Sequence, residues 1–420
     1  MTVELINTGT ELLLGRVLNT HQQWLCRELA DLGYVVSRQV AVPDEGPAIQ
    51  EAVKEALCRA GLVFTTGGLG PTSDDMTRDL IAALLGRKLA ENATVLARIE
   101  QFFAARQRLM PPSTRVQALV PEGTIVLQNN HGTAPGLAIE IPRGQVCGAQ
   151  HGSWLIMLPG PPRELRPMFH EAVAPLLKTR IRGAGPFFCT TLKTTGLGES
   201  VVEEKIRQPL KTSVAEGLEI GYCARVGEVD VRLVCRRENG DAVVEFAAKI
   251  VEKILGRQVY STDDEGLETV VVRLLAERRQ SLSLAESCTG GFIANRITNV
   301  PGASAVFLEG LVTYSNAAKE RLLGVRPETL TGAGAVSELC AREMAKGSRQ
   351  RSAADFALSV TGIAGPSGGT PTKPVGTVFI GLATASRTIV LPQVNRYDRE
   401  TFKFVTSQQA LELLRRELVS

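Results

Sequence analysis

Short apolar runs of strand length, each closed by a glycine-bearing turn and followed by a helical segment, occur at both ends of this 420-residue chain. Val3–Thr8 stops at Gly9, Leu62–Thr66 stops at Gly67-Gly68, and residues 154–158 run into Pro159-Gly160-Pro161-Pro162. Between the first two runs, Asn19 or Thr20 can cap a helix carrying Trp24, Leu25, Leu29 and Leu32, with Gly33 at its C-terminal cap. Residues 34–42 form the next strand and stop at Pro43. Ile49, Ala52, Val53, Ala56 and Leu57 then share one helical face. This β-α-β-α-β order predicts an α/β domain with a parallel sheet and helices on both faces.

The alternation returns near the C-terminus. Strands are expected over residues 281–286, 305–313, 355–360, 375–384 and 388–394. Helices are expected from Gly291, over 315–323, after Ser337 and over 399–418. Residues 180–255 differ: strands at 188–194 and 229–235 and helices at 200–208 and 241–254 make a small α+β unit. The polar, acidic, glycine-flanked stretch 256–266 reads as a linker. The expected division is 1–175, 176–258 and 265–420, in keeping with a length too great for one core. Basic residues number 47 against 44 acidic ones, with no basic run, which excludes a nucleic-acid track or a membrane-surface patch. The first residues have no basic start and no long apolar run, so neither a signal peptide nor a span is expected there. Its eight cysteines contain no C-x-x-C pair, so reduced thiols and a cytoplasmic location are expected.

In open α/β sheets, ligands bind at the carboxyl ends of the strands. In the last segment those ends are Ser287-Cys288-Thr289-Gly290-Gly291, Tyr314-Ser315-Asn316 and Thr361-Gly362-Ile363-Ala364-Gly365-Pro366. Ser287 sits on a strand–turn–helix corner. The amides of Thr289, Gly290 and Gly291 would open a helix and favour an anion, either a tetrahedral oxyanion or a substrate phosphate. The bland reading of Ser287 is a helix cap. A nucleophilic serine needs a base. The four histidines are His21, His131, His151 and His170, so none lies in this segment. Lys319, at the start of the helix after the neighbouring strand, is the next candidate. To act as a base its pKa must come down by roughly 3 from about 10.4. That requires burial or a nearby cation, for which Arg399 is a candidate; Arg399 could instead bind phosphate. A lone lysine more often sits on a solvated face. Tyr314 could relay or orient the proton, or be an amphipathic residue at a strand end. Cys288 is a rival nucleophile, since a thiolate at a helix N-terminus is also activated.

Four ordered blocks carry a resemblance: Ala285-Glu-Ser-Cys-Thr-Gly-Gly291, Thr313-Tyr-Ser-Asn316 with Lys319, Val360-Thr-Gly-Ile-Ala-Gly-Pro366 and Lys373-Pro-Val-Gly-Thr377. Together they resemble the C-terminal domain of the CinA family, whose stand-alone relatives are PncC-type nicotinamide-nucleotide amidases. The resemblance implies hydrolysis of nicotinamide mononucleotide to nicotinic acid mononucleotide and ammonia, without a metal. Ser287 would be the nucleophile and Lys319 and Tyr314 its catalytic partners. Substrate would be held by Thr289, Gly290, Gly291, Thr361, Gly362 and Arg399. The chain departs from the family's G-D-R-x-x-[IV]-R pattern, reading Tyr397-Asp-Arg-Glu-Thr-Phe-Lys403. A lysine in place of the second arginine offers only a point charge.

The first segment resembles the CinA N-terminal domain, itself similar to MogA/MoaB-type molybdopterin-binding folds. Its blocks are Gly9-Thr-Glu-Leu-Leu-Leu-Gly15 with Asn19-Thr20, Thr65-Thr-Gly-Gly-Leu-Gly-Pro-Thr-Ser-Asp-Asp-Met-Thr77, Asn130-His-Gly-Thr-Ala-Pro-Gly136 and Leu158-Pro-Gly-Pro-Pro-Arg-Glu164. Gly67, Gly68 and Gly70 with Thr72 would let backbone amides approach a nucleotide or pterin phosphate. Asp74 and Asp75, with Glu11 as a third carboxylate, supply hard oxygens suited to Mg²⁺ or a similar ion. The bland reading of 74–77 is a polar loop capping a helix. Some N-terminal domains of this family are similar to ADP-ribose pyrophosphatases; others only bind a ligand. A homodimer is expected, with neither nucleic acid nor membrane as partner. The reading that stays open beside the enzyme is a non-catalytic binding or competence-associated interaction protein.

Overall fold

The computed structural model describes residues 1–146, 151–181 and 185–420, so Cys147 lies outside the described residues. The chain forms two compact units. One is Met1–Phe187 with Arg236–Glu238; the other is Phe188–Cys235 with Asn239–Ser420. Among the described residues no helix is long and apolar enough to cross a membrane.

The first unit is built on β1 (Val3–Thr8), β2 (Val36–Val42), β3 (Leu62–Thr66), β4 (Ile125–Leu127), β5 (Gly136–Ile141) and β6 (Ser153–Leu158), in the order β2-β1-β3-β6-β5-β4. β2, β1, β3 and β6 are parallel, as expected. β5 and β4 extend the sheet antiparallel, which the strand–helix alternation did not reveal. Helices α1 (Thr20–Asp31), α2 (Gly46–Arg59), α3 (Thr77–Leu84) and α4 (Pro162–Met168) cover it. The period of two in the strands feeds two cores. Val3, Leu5, Phe64 and Ile156 pack with Leu25 and Leu29 of α1 and Leu165 of α4. Ile6, Val63, Leu155 and Met157 pack with Ile49, Val53 and Leu57 of α2 and Ile81 of α3.

The second unit begins with an antiparallel sheet of β7 (Phe188–Thr195), β8 (Leu218–Arg225), β9 (Glu228–Cys235) and β10 (Val259–Ser261), ordered β8-β9-β7-β10 and backed by α5 (Gly240–Leu255). The stretch expected to be a linker therefore contains a strand, β10, paired with β7. A three-residue strand in a polar context has too short a pattern to be read as a strand. Its Tyr260 is buried, and its hydroxyl donates to Glu228 at 2.6 Å.

The remainder comprises α6 (Leu267–Arg278), β11 (Leu282–Glu286), α7 (Phe292–Thr298), β12 (Phe307–Val312), α8 (Asn316–Leu323), α9 (Glu338–Ser352), β13 (Phe356–Gly362), β14 (Thr377–Ala383), β15 (Thr388–Val394) and α10 (Arg399–Leu418). The sheet order is β12-β11-β13-β14-β15, with the first three parallel and the last two antiparallel. Leu282, Leu284, Leu358 and Val360 enter one core with Phe402, Leu411 and Leu414 of α10. The opposite face is small and polar. Ser283 meets Ser348 at 3.0 Å and Ser359 donates to the Ala341 carbonyl at 2.6 Å, which brings α9 close to the sheet. α10 also bonds to the first sheet of this unit, where Gln408 donates to Glu228, and to the turn just before β10, where Arg415 donates to the Arg257 carbonyl.

Candidate active site

Ser287 follows β11 directly, and its amide donates to the Val360 carbonyl of β13 at 2.9 Å. This bond fixes the corner from which the side chain projects. Lys319 stands in the first turn of α8, which Ser315 caps through the Ala318 amide. The lysine side chain turns inward and is 2% exposed. Its Nζ lies 2.9 Å from Ser287 Oγ, 2.8 Å from the Thr313 carbonyl and 3.3 Å from that of Tyr314. Burial lowers its pKa, against smaller opposing effects of Cys340 and Cys288. Of the two routes open to the lysine, burial or a nearby cation, burial is the one taken, and Arg399 bonds Tyr314 and Gly365 instead. A neutral amine has two hydrogens and one lone pair. The two carbonyls accept the hydrogens, and the lone pair is left for the serine hydroxyl.

Cys288, the rival nucleophile, is buried in the apolar core. Burial, with Glu286 as a secondary cause, pushes its thiol up to about 12. A protonated, core-facing thiol is inert. Of the two adjacent candidates, only Ser287 meets the base.

The turn after Ser287 differs from the expectation in one respect. α7 begins at Phe292, and the anion at its N-terminus belongs to the chain itself. Glu286, 2% exposed, accepts from the amides of Gly291 (3.0 Å) and Ile293 (3.2 Å) through Oε2 and from Ala294 (2.8 Å) through Oε1. The Gly290 amide closes the turn onto the Ser287 carbonyl at 3.1 Å. Gly290 and Gly291 both have positive φ, +63° and +91°, which other residues adopt at a cost. Gly290 and Gly291 therefore have no amide to offer a ligand. The amides of Cys288 and Thr289 have no hydrogen-bond partner among the described residues. The Thr289 hydroxyl is likewise buried without a partner.

The other expected substrate residues divide into two groups. The Thr361 hydroxyl donates to the Ala335 carbonyl at 2.7 Å, and a Cβ on Gly362 would stand 2.7 Å from the Thr377 carbonyl. Both serve packing between β13 and its neighbours. Tyr314 and Arg399 form an exposed rim: Arg399 Nη2 donates to the Tyr314 hydroxyl at 2.9 Å and Nη1 to the Gly365 carbonyl at 2.9 Å. The Tyr314 phenol thus engages Arg399 rather than Ser287 or Lys319, and the residue meets the lysine only through its main-chain carbonyl. Lys403 lies 5.6 Å from the Phe292 ring centre, outside this pair.

The first unit has a separate cavity of about 490 Å³ at the ends of β1, β3 and β6. Gly67 and Gly68 have φ of +97° and +67°, and a Cβ on Gly68 would stand 1.9 Å from Thr77 Oγ1. The amides of Gly68, Leu69 and Gly70 have no partner among the described residues. They form a nest suited to a phosphate. Thr72 does not join them, because its amide (3.0 Å) and hydroxyl both bond Asp75. Asp75 is thereby spent on the loop. Glu11, Asp74 and Asp75 all line the cavity; the Glu11 carboxylate lies against Gly9, and Asp74 is exposed. Among the described residues no three His, Cys, Asp or Glu side chains could hold a metal ion together. The three expected carboxylates do not make a metal cage. Unanticipated in the sequence are His21 and Glu164. The His21 Nε2 meets the Gly160 carbonyl and its Nδ1 is buried without a partner. Glu164 is buried, which raises its pKa, and bonds Asn129 at 2.9 Å. The block ending at Glu164 was visible, but nothing local marks its carboxylate as buried.

Three family models match: the probable molybdopterin binding domain over residues 4–179, the damage-inducible protein CinA KH domain over 190–261 and the CinA C-terminal domain over 264–418. The CinA-like protein of Kosmotoga olearia is 42% identical over all of this chain and 99% of its own length. Among solved structures, the competence/damage inducible protein CihA from Agrobacterium tumefaciens is 40% identical, covering 37% of this chain and 98% of its own, with a TM-score of 0.35. The protein CinA from Thermoplasma acidophilum is 32% identical, covering 40% and 94%, with a TM-score of 0.36.

Proposed function

The chain belongs to the CinA family, and on that premise we propose that its C-terminal domain is a serine amidohydrolase converting nicotinamide mononucleotide to nicotinic acid mononucleotide and ammonia. The observation that carries this reading is the buried Lys319 amine 2.9 Å from Ser287 Oγ, with main-chain carbonyls taking its hydrogens. Ser287 Oγ attacks the carboxamide carbon while Lys319 Nζ takes the hydroxyl proton. Negative charge develops on the carboxamide oxygen, where the amides of Cys288 and Thr289 are the free donors. The C–N bond breaks as Lys319 returns the proton, and ammonia leaves. Water then adds to the acyl-serine ester with Lys319 again as base, and collapse releases the carboxylate and Ser287. We read Arg399 and Tyr314 at the rim as the groups that meet the substrate's phosphate and ring.

The direct test is ammonia release from nicotinamide mononucleotide by the parent and by Ser287→Ala. Release by the parent alone is expected; a folded parent that releases none overturns the reading.

The first unit supports a second, separate reading through its three free amides beside a 490 Å³ cavity. We read it as a site for a phosphate-bearing heterocycle, nucleotide or pterin. Among the described residues no three such side chains gather around a metal position, and binding of ADP-ribose without turnover in the presence of Mg²⁺ is expected; turnover would overturn this in favour of a pyrophosphatase.

A further inference from the structure

Glu286 takes no part in the proton transfers above, yet it is buried against both halves of the reacting pair. Its carboxylate collects three amides, of Gly291, Ile293 and Ala294. The turn from Ser287 to the start of α7 is thereby folded back onto the end of β11. Its main-chain carbonyl accepts from the Thr313 amide at 2.8 Å. Thr313 in turn supplies a carbonyl that holds Lys319 Nζ. One residue thus ties the nucleophile's turn by its side chain and the base's strand end by its backbone.

A carboxylate at this point has two consequences. A helix N-terminus favours an anion, and here the anion is already supplied by the chain. The only amides of the turn left without a partner are those of Cys288 and Thr289, next to the nucleophile. Without the carboxylate, the Gly291, Ile293 and Ala294 amides would be unsatisfied in a largely buried setting, and the two-glycine turn would lose the bonds that select its conformation.

We propose that Glu286 is a positioning residue for the amidase: it holds the 287–291 turn in the one arrangement that leaves the Cys288 and Thr289 amides for the tetrahedral oxygen. The inference rests on the amidase reading of the same site and extends it. Its role is separable from that of Lys319, because Glu286 is not among the groups that set the lysine's pKa.

The test uses the full chain and Glu286→Gln, which keeps the size of the side chain but can no longer accept through both terminal atoms. Competent sites are titrated with a fluorophosphonate, which phosphonylates an activated serine with loss of fluoride. kcat for nicotinamide mononucleotide is then expressed per titrated site. The expected result is a kcat lower by about 100-fold, the loss typical of a weakened oxyanion hole. KM is expected to stay within about threefold and the acidic limb of the pH–rate profile to stay in place, since the base is untouched. A purely structural role would lower the number of titrated sites and leave kcat per site near the parent value. A kcat per site within about twofold of the parent overturns the proposal. Should the parent release no ammonia, the amidase reading fails by itself. The rate of Ser287 phosphonylation then carries the test: a rate equal in parent and Glu286→Gln refutes the role of Glu286, and a slowing of about tenfold or more upholds it.

Discussion

At the end of β3 in the first unit, three successive amides have no partner and a cavity opens beside them. At the end of β11 in the second unit, a comparable glycine-bearing turn has the amides of Gly290 and Gly291 taken by the Ser287 carbonyl and Glu286, and among the described residues leaves those of Cys288 and Thr289 without a partner. Both turns follow a buried parallel strand and both depend on positive-φ glycines. The first offers free amides beside a cavity that Glu11, Asp74 and Asp75 also line, with Asp75 bonded to Thr72. The second holds the Ser287 hydroxyl and the Lys319 amine in contact, the pair we propose as nucleophile and base. Backbone donors that face outward mark a place where something binds. A buried amine and a hydroxyl held in contact, in a turn whose glycine amides are already taken, are the features on which the amidase proposal rests.

That contrast can be broken most directly at Ser287. Ser287→Ala should remove amidase activity by about four orders of magnitude or more, leaving only what binding and the amides provide; ammonia release measures it. Lys319→Ala should lower kcat by about 10³-fold, and Lys319→Arg should do no better, because a guanidinium does not deprotonate. An Arg variant within about tenfold of the parent would remove the lysine from the role of base. The pH profile sharpens the point. Burial lowers the folded pKa of Lys319, and the neutral amine is the active form. Activity should therefore rise by about tenfold per pH unit below that pKa and level off above it, at a pH lower than an ordinary lysine would give. Stability shares the sign: the unfolded lysine holds its proton to higher pH than the folded one, so this residue's contribution improves as pH rises between the two pKa values.

For the receptor side of the comparison, Gly68→Ala places a Cβ against Thr77 at a φ of +67°. It should weaken ADP-ribose binding by about tenfold or more, and cost the first unit on the order of 2 kcal/mol; calorimetry and thermal unfolding measure these. The smallest effect expected is from Lys319→Met. Relieving the buried amine should raise stability by about 1 kcal/mol while activity is lost. A fall in stability would show that the lysine supports the fold rather than burdening it.

The strands and helices that carry the sites were legible because their patterns are local. β1, β3 and β11 are apolar runs closed by glycine, and Asn19, Ser315 and Ser337 cap their helices through their own side chains as their spacing indicates. The meeting of Ser287 and Lys319 was also legible, since parallel strands β11 and β12 bring their carboxyl ends side by side. Glu286 was not legible. A glutamate at a strand end is ordinary in sequence, and only the fold shows that it reaches forward five to eight residues to cap α7. The local bonding of the acidic pair was not legible either. Asp74 and Asp75 have the composition of a metal site, but Asp75 is a local partner of Thr72, an interaction over three residues that competes for the same oxygens. β5 was missed because antiparallel additions to a parallel sheet leave no trace in the strand–helix alternation, and β10 because three residues carry no period.

The third member of the reacting apparatus, which in many serine hydrolases is a side chain, is here a pair of main-chain carbonyls, Thr313 and Tyr314. Peptide oxygens are the same whatever residue bears them, so replacement of the side chain at either position leaves the alignment of the amine intact. On the amidase reading we propose, substrate preference would drift through the exposed Tyr314 ring and its Arg399 companion while the reacting atoms keep their places, and selectivity would be open to engineering without first rebuilding the chemistry.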